Sequence, residues 1–170
     1  MRAAIPIVRQ VYELPIRAPF DVVVASPGGY PKDINIYQAQ KALGHAVQVS
    51  REGGAIILAA ACSEGSGSAR YEGWLKSLAP EERTHAGVIA RFTAEGYRVG
   101  PHKAFQIARD SVNRHVIWVS DLPDPAFFLM ESASTLREAV ARVIPACGRR
   151  VGVLPYANST IPTLRKEPIE

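Results

Sequence analysis

A segment near the start of the chain combines residue types that could bind an anion. Gly28 and Gly29 follow a short apolar run, and Gln38 and Lys41 come shortly after them. Glycine has no Cβ, so the backbone there can turn sharply and approach a ligand closely. A helix that begins just beyond the turn would add free N–H groups and the positive end of its dipole. The spacing therefore predicts a site for a carboxylate or a phosphate.

A helix over residues 34–47 must position these side chains, and Asp33 or Asn35 is a good N-cap for it. On a helical wheel one face is apolar and predicted to pack on a sheet. It consists of Ile36, Ala39, Leu43, Ala46 and Val47. The polar face carries Gln38, Lys41, His45 and Gln48, with Tyr37 beside Lys41. Helical side chains lean toward the N-terminus, so Gln38 and Lys41 are expected to point back at the glycine turn. An ordinary solvated face is the alternative interpretation.

The rest of the chain alternates apolar strands with helical patterns, which is typical of a parallel α/β sheet. Strands are predicted over 21–26, 55–61, 115–120, 127–130 and 150–154. Helices are predicted over 71–78, 80–95, 102–110 and 134–144. Residues 8–16, broken by prolines, are expected to form an edge strand or a lead-in. We expect a single α/β domain with a Rossmann-like parallel sheet of about four to five strands flanked by helices. Ligands of such sheets bind beyond the carboxyl ends of the strands.

Composition narrows the class of protein. The chain has 170 residues, 47% of them hydrophobic, and a formal net charge of +4. It has no apolar run of the roughly 20 residues that span a bilayer, and its first residues do not resemble a signal peptide. The basic residues are scattered rather than clustered, which disfavours nucleic-acid binding. Two cysteines without a CxxC pair are typical of reduced thiols in a cytoplasmic protein.

Other candidate sites carry weaker signals. The glycine-rich loop from Gly65 to Arg70 lacks the third glycine of a dinucleotide fingerprint, so a loop that shields an interface is favoured. Cys62 follows a strand but has no histidine beside it in sequence, which favours a structural cysteine over a nucleophile. The four histidines show no metal-ligand spacing, so no metal site is predicted. His102 and Lys103 open a short helix and could line a cleft or lie on an ordinary surface.

The sequence around the glycine turn, Gly-Gly-Tyr-Pro-Lys-Asp-Ile-Asn-Ile-Tyr-Gln-Ala-Gln-Lys, resembles the C-terminal domain of the nickel-pincer lactate racemase family. The similarity continues through Glu52-Gly-Gly-Ala-Ile-Ile-Leu, Cys62-Ser-Glu-Gly-Ser-Gly, Gly100-Pro-His-Lys-Ala and the closing Leu-Pro-Tyr-Ala-Asn-Ser-Thr-Ile-Pro. The resemblance covers most of the chain. It implies a lead-in over residues 1–20 and a C-terminal α/β domain over residues 21–170.

Members of this family racemise or epimerise 2-hydroxy acids with a nickel-pincer nucleotide. The resemblance implies that Tyr37, Gln38 and Lys41 face the substrate and the cofactor at a domain interface. Lys41 would pair with the substrate carboxylate or with negative charge on the cofactor, and Gln38 would form an orienting hydrogen bond. Gly28, Gly29, His102 and Lys103 are the candidate cofactor contacts. In the family an N-terminal domain holds the cofactor, the metal ligand and the acid–base histidines, and this chain has no counterpart for it. We therefore expect that domain as a partner, no activity without it, and no nucleic-acid or membrane partner. A non-catalytic anion- or nucleotide-binding module, or a domain that serves only for association, remains an alternative.

Overall fold

The computed structural model describes residues 4–165, which fold into helices and strands. The helices are α1 (Ile5–Tyr12), α2 (Ile36–Val47), α3 (Ala69–Lys76), α4 (His85–Glu95), α5 (Pro101–Ser111) and α6 (Leu136–Cys147). The strands are β1 (Glu13–Ile16), β2 (Phe20–Ala25), β3 (Ser50–Ala59), β4 (His115–Val119), β5 (Glu131–Ala133), β6 (Val151–Leu154) and β7 (Ile161–Leu164). Within this range no helix combines the length and the apolar character needed to cross a membrane.

Five strands form one parallel sheet in the order β5-β4-β3-β2-β6. Its central strands are apolar on both faces: Val22, Val23, Ile56 and Ile57 are all fully buried. Continuous apolar strands of this kind are stable only where helices cover both faces of the sheet. The predicted α/β fold with a parallel sheet of four to five strands is confirmed.

Helices cover the two faces of the sheet unequally. Helices α2, α3, α4 and α5 pack on one face, around Leu43, Leu58 and Trp118. Helix α6 covers the other face with Ala139 and Val143. The apolar stripe predicted for α2 is confirmed, because Ile36, Ala39, Leu43 and Ala46 are fully buried and Val47 is partly buried.

Three sequence-based expectations about local structure are wrong. Residues 8–12, predicted to be extended, belong to α1; Pro6 lies in the first helical turn, where its missing N–H costs nothing. The helix predicted from residue 80 begins at His85, because the Thr84 hydroxyl caps it by accepting from Gly87 N at 3.0 Å. The strand predicted over 127–130 is a 3-10 turn at Ala126–Phe128, and the strand there is β5.

A second, two-stranded parallel sheet joins β1 to β7. The sequence pattern predicts an edge strand near β1 but no strand at β7. These two strands bring the two ends of the described chain side by side.

The strand order creates a crevice at one edge of the main sheet. Strand β2 has β3 on one side and β6 on the other. The connection after β2 therefore leads away from β6, and ligand sites of open α/β sheets lie beyond the carboxyl ends of two such strands. Those ends lead into Ser26–Gly29 and into Pro155–Ser159.

Candidate functional site

The glycine turn is fixed against the segment that follows β6. Ser26 N donates to Leu154 O at 2.9 Å, and Ala157 N donates back to Ser26 O at 2.8 Å. Gly28 has a φ of 107°, and a Cβ there would lie 3.0 Å from Tyr156 Cδ1. A side chain at this position would therefore be strained and crowded, which explains the glycine.

Lysine and serine side chains close the other side of this turn. Lys32 Nζ donates to Ser159 Oγ at 2.7 Å. Tyr156 is 62% exposed beside Gly28, so its ring forms an open wall of the crevice. Gly28 and Gly29 thus belong to a cluster with Lys32, Tyr156 and Ser159. In the sequence the segment of the last two stands out only as one of the motifs that carry the family resemblance.

The start of α2 is not the open anion site that the sequence predicted. Asn35 is the N-cap, and its Oδ1 accepts from Gln38 N at 3.1 Å. Ile36 N donates to Gly65 O at 3.0 Å, and Tyr37 N donates to Ser66 O at 3.1 Å. The expectation of free N–H groups is therefore wrong. The glycine-rich loop supplies carbonyl groups to these amides, so it supports α2 and does not cradle a phosphate there.

The side chains of α2 that were predicted to act together do so in part. Lys41 Nζ donates to Gln38 Oε1 at 2.5 Å, which leaves the Gln38 amide NH₂ without a partner among residues 4–165. Lys41 is exposed and Gln38 is half-buried. Within the described chain no carboxylate lies within 4.0 Å of Lys41 Nζ. The Gln38 amide and the Lys41 ammonium therefore lie side by side, and both have N–H groups available to donate to a ligand.

Lys103 lies beneath this face, between α2 and α5. It is only 6% exposed, and its Nζ donates to Gln40 Oε1 at 3.0 Å and to Gln106 Oε1 at 3.1 Å. The ammonium also lies 4.6 Å from the centroid of the Tyr37 ring, within the range of a cation–π contact. Burial lowers the pKa of Lys103, and the positive charge of Lys41 lowers it further. The two ammonium groups therefore share one electropositive region.

His102 continues the cluster from Tyr37 toward Tyr97. The His102 ring meets the Tyr37 ring edge-on at 5.8 Å and lies 5.6 Å from the Tyr97 ring. Its Nδ1 accepts from Gly100 N at 3.0 Å, so the ring hydrogen of the neutral form is on Nε2. Burial, together with the charge of Lys103, lowers the pKa of His102, which favours this neutral form.

The structure thus divides the predicted residues into two neighbouring clusters. Tyr37, Gln38, Lys41, His102 and Lys103 come together on α2 and α5, whereas Gly28 and Gly29 lie beside the segment after β6. Asn158 connects the clusters, because its Nδ2 donates to Gln38 O at 3.5 Å.

Sequence reasoning missed Gln40, which is 4% exposed and receives the Lys103 bond. A signal was present: Gln40 lies four residues after Ile36 and three before Leu43, on the edge of the apolar stripe. A polar residue at such a position needs a buried hydrogen-bond partner.

Cys62 is not a nucleophile in this arrangement. It is fully buried, and burial raises the pKa of its thiol to about 12, with smaller contributions from the charges of Asp33 and Asp121. The interpretation as a structural cysteine is supported.

The donor set of the two clusters suits an anionic ligand. Ammonium, amide and imidazole N–H groups bind carboxylates and phosphates. Among residues 4–165 there is no group of three or more His, Cys, Asp or Glu side chains placed to hold a metal ion. The donor groups of these clusters could therefore contact the anionic parts of a cofactor.

Comparison with known proteins shows which family the chain resembles. The lactate racemase C-terminal domain family matches residues 16–159. The lactate racemase of Lactiplantibacillus plantarum is 35% identical over 142 residues, which are 79% of this chain and 33% of that protein. The lactate racemase of Thermoanaerobacterium thermosaccharolyticum is 31% identical over 148 residues, which are 84% of this chain and 34% of that protein. The chain therefore spans about a third of the length of these curated relatives.

Two solved structures share the fold. The lactate racemase apoprotein from Thermoanaerobacterium thermosaccharolyticum superposes with a TM-score of 0.84 at 26% identity, covering 97% of this chain and 40% of that one. A protein from Thermotoga maritima superposes with a TM-score of 0.62 at 13% identity, covering 96% of this chain and 41% of that one. The second similarity concerns the fold alone.

Proposed function

Because the chain belongs to the family of lactate racemase C-terminal domains, we propose that it is the substrate-facing part of an enzyme that racemises or epimerises 2-hydroxy acids. In this proposal residues 21–170 are the C-terminal domain, residues 1–20 lead into it, and the chain is inactive by itself. The partner is an N-terminal domain of the same family, which holds the cofactor and the acid–base histidines.

The observation that carries the proposal is the pair formed by Lys41 and Gln38. The ammonium donates to the amide oxygen at 2.5 Å, and the remaining N–H groups of both side chains are available as donors to a ligand. A 2-hydroxy acid offers a carboxylate and a hydroxyl on adjacent carbons. Lys41 would bind the carboxylate and Gln38 would orient the hydroxyl or the second carboxylate oxygen, which fixes the carbinol carbon for reaction.

The buried residues below this pair hold it in place. Lys103 binds Gln40 of α2 and lies against the Tyr37 ring, so it ties the substrate-facing helix to α5. Its charge adds to that of Lys41, which strengthens the attraction for an anion. Tyr37 and neutral His102 then form a wall that limits water around the bound acid.

A nickel-pincer nucleotide, when bound, would supply hydride acceptance and return at the carbinol carbon. Gly28, Gly29, His102 and Lys103 are proposed to contact it, since the turn permits close approach and the side chains are donors. The residues of this chain would bind and orient the substrate, and the metal ligands would come from the partner domain.

A chimeric enzyme tests this function. In the lactate racemase of Thermoanaerobacterium thermosaccharolyticum, the segment that this chain matches is replaced by this chain, and racemisation of D- and L-lactate is measured on the cofactor-loaded protein. A hydrogen bond to a charged group contributes about 1.5–3 kcal/mol. At about 1.36 kcal/mol per factor of ten, Lys41→Ala should lower kcat/KM about 10- to 150-fold.

The matched control is Lys76→Ala, which removes an exposed lysine at the end of α3. It should leave kcat/KM unchanged. Equal activities of the Lys41→Ala and Lys76→Ala enzymes would contradict the assignment of Lys41 to the substrate.

A further inference from the structure

Helix α1 presents an apolar surface that the described chain does not cover. None of its eight residues, all within the described range, is buried. Ile7 is 63% exposed and Val11 is 65% exposed, and Leu14 of β1 is 45% exposed beside them. We call this set, completed by Ile5, Val8 and Tyr12, the α1 surface. Large apolar patches of this kind mark interaction sites more often than ordinary protein surface.

A groove runs along this surface between α1 and β7. Its volume is about 440 Å³, and its lining includes the apolar residues Ile5, Val8 and Ile161. Two charged residues, Arg9 and Glu13, also line it, but they form an ion pair with 3.6 Å between Arg9 Nε and Glu13 Oε2. The groove therefore fits an apolar segment of polypeptide better than a charged small molecule.

The α1 surface continues into the candidate site. A second groove of about 350 Å³ is lined by Tyr12, His45, Asn158, Ser159 and Ile161. Asn158 contacts Gln38, and Ser159 receives the Lys32 bond at 2.7 Å. A polypeptide seated on α1 would therefore extend to the edge of the cluster that holds Lys41.

The location of α1, β1 and β7 relative to the family match indicates which polypeptide would occupy the groove. The family match covers residues 16–159, so α1, most of β1 and all of β7 lie outside it. The curated relatives are about three times as long as the matched segment, which is 33% of one and 34% of the other. Elements that flank the domain and leave apolar side chains exposed are placed to meet the rest of such a polypeptide.

We propose that the α1 surface is the docking face for the N-terminal domain of a lactate racemase-type enzyme, and that docking there closes the edge of the substrate site. This inference rests on the proposed function. It identifies the surface that contacts the N-terminal domain. That surface is α1 with the β1–β7 sheet, rather than the exposed edge strand β6 or the exposed aromatic residues near α5.

Hydrogen–deuterium exchange on the chimeric enzyme described above tests the docking face. The amides of α1 should exchange at least about tenfold more slowly in the chimera than in this chain alone, because docking excludes water from them. Val8→Asp should abolish this protection, since it places a carboxylate in the groove. The control is Val112→Asp, because Val112 is 45% exposed and Val8 is 42% exposed, and Val112 lies at the end of α5, outside the groove.

The outcomes separate the two proposals. Protected α1 amides in a chimera without racemase activity would uphold the docking face and reject the proposed function. An active chimera with unprotected α1 amides would uphold the proposed function and reject the docking face. A chimera in which this domain unfolds independently of the remainder would overturn the docking face. So would sedimentation of this chain alone as a dimer that Val8→Asp dissociates, because the occupant would then be a second copy.

Discussion

The glycine-rich loop supports α2 through one close contact, which a pair of matched substitutions can isolate. Gly67 has a φ of 70°, and a Cβ built there would lie 2.4 Å from Asn35 Cγ and 2.5 Å from Asn35 Nδ2. Gly65 has a similar φ of 64°, but a Cβ there would meet nothing within 4 Å. Alanine at either position therefore has the same backbone strain, and only Gly67→Ala displaces Asn35.

The expected destabilisation follows from these two contributions. A non-glycine residue in the left-handed region costs roughly 1–2 kcal/mol, and both variants lose this amount. Loss of an N-cap costs typically about 1 kcal/mol, and the Asn35 cap on Gln38 N is the one displaced. Gly67→Ala should therefore lower the free energy of unfolding by about 1 kcal/mol more than Gly65→Ala. At this chain length that difference corresponds to roughly 2–4 °C in Tm.

Urea unfolding of the two variants, followed by circular dichroism, measures the difference. A double-mutant cycle then assigns it: Asn35→Ala should cost about 1 kcal/mol in the native background and much less when combined with Gly67→Ala. Equal destabilisation by Gly65→Ala and Gly67→Ala would refute the argument that the loop acts through the cap. Full additivity of Asn35→Ala and Gly67→Ala would refute it as well.

Three further predictions concern titratable groups in the core. The pKa of Lys103 is lower in the folded protein than in the unfolded chain, so the unfolded chain binds more protons in the window below about pH 10.5. The native protein should therefore gain stability relative to Lys103→Met as the pH rises through that window toward about 10.5, as measured by urea unfolding curves. A constant difference between the two proteins would contradict the assigned burial cost. Lys41→Ala should raise the pKa of Lys103 in a ¹³C NMR titration, because it removes a neighbouring positive charge. In a Cys147→Ala variant at about pH 8, Cys62 should react with a disulfide reagent only after unfolding, because burial raises its pKa to about 12; rapid labelling of the native protein would show that the thiol is accessible.

The main sheet could be predicted from the sequence because each of its central strands is encoded by neighbouring residues. Val22–Ala25 and Ala55–Leu58 are apolar at consecutive positions, and only a strand covered on both faces accommodates such runs. One strand was missed because it is short and depends on a distant partner. Strand β7 exists because β1 lies beside it, and those residues are more than 140 positions apart in sequence.

Helix α2 also combines features that the local sequence predicts with contacts that depend on distant residues. Periodicity alone assigned Ile36, Ala39 and Leu43 to the buried face and left Gln38 and Lys41 on the polar face. It could not show that the amides at the start of α2 are occupied, because their acceptors, Gly65 O and Ser66 O, come from another loop.

The sequence by itself determined the α/β class, the helix that carries Tyr37, Gln38 and Lys41, and the likeness to one family, because each is encoded in contiguous residues. The tertiary structure alone decided that Lys103 is buried against Gln40 and Tyr37, and that the segment after β6 forms a wall beside Gly28. These contacts join residues more than 60 positions apart, and such proximity depends on how helices pack across the sheet rather than on any local pattern.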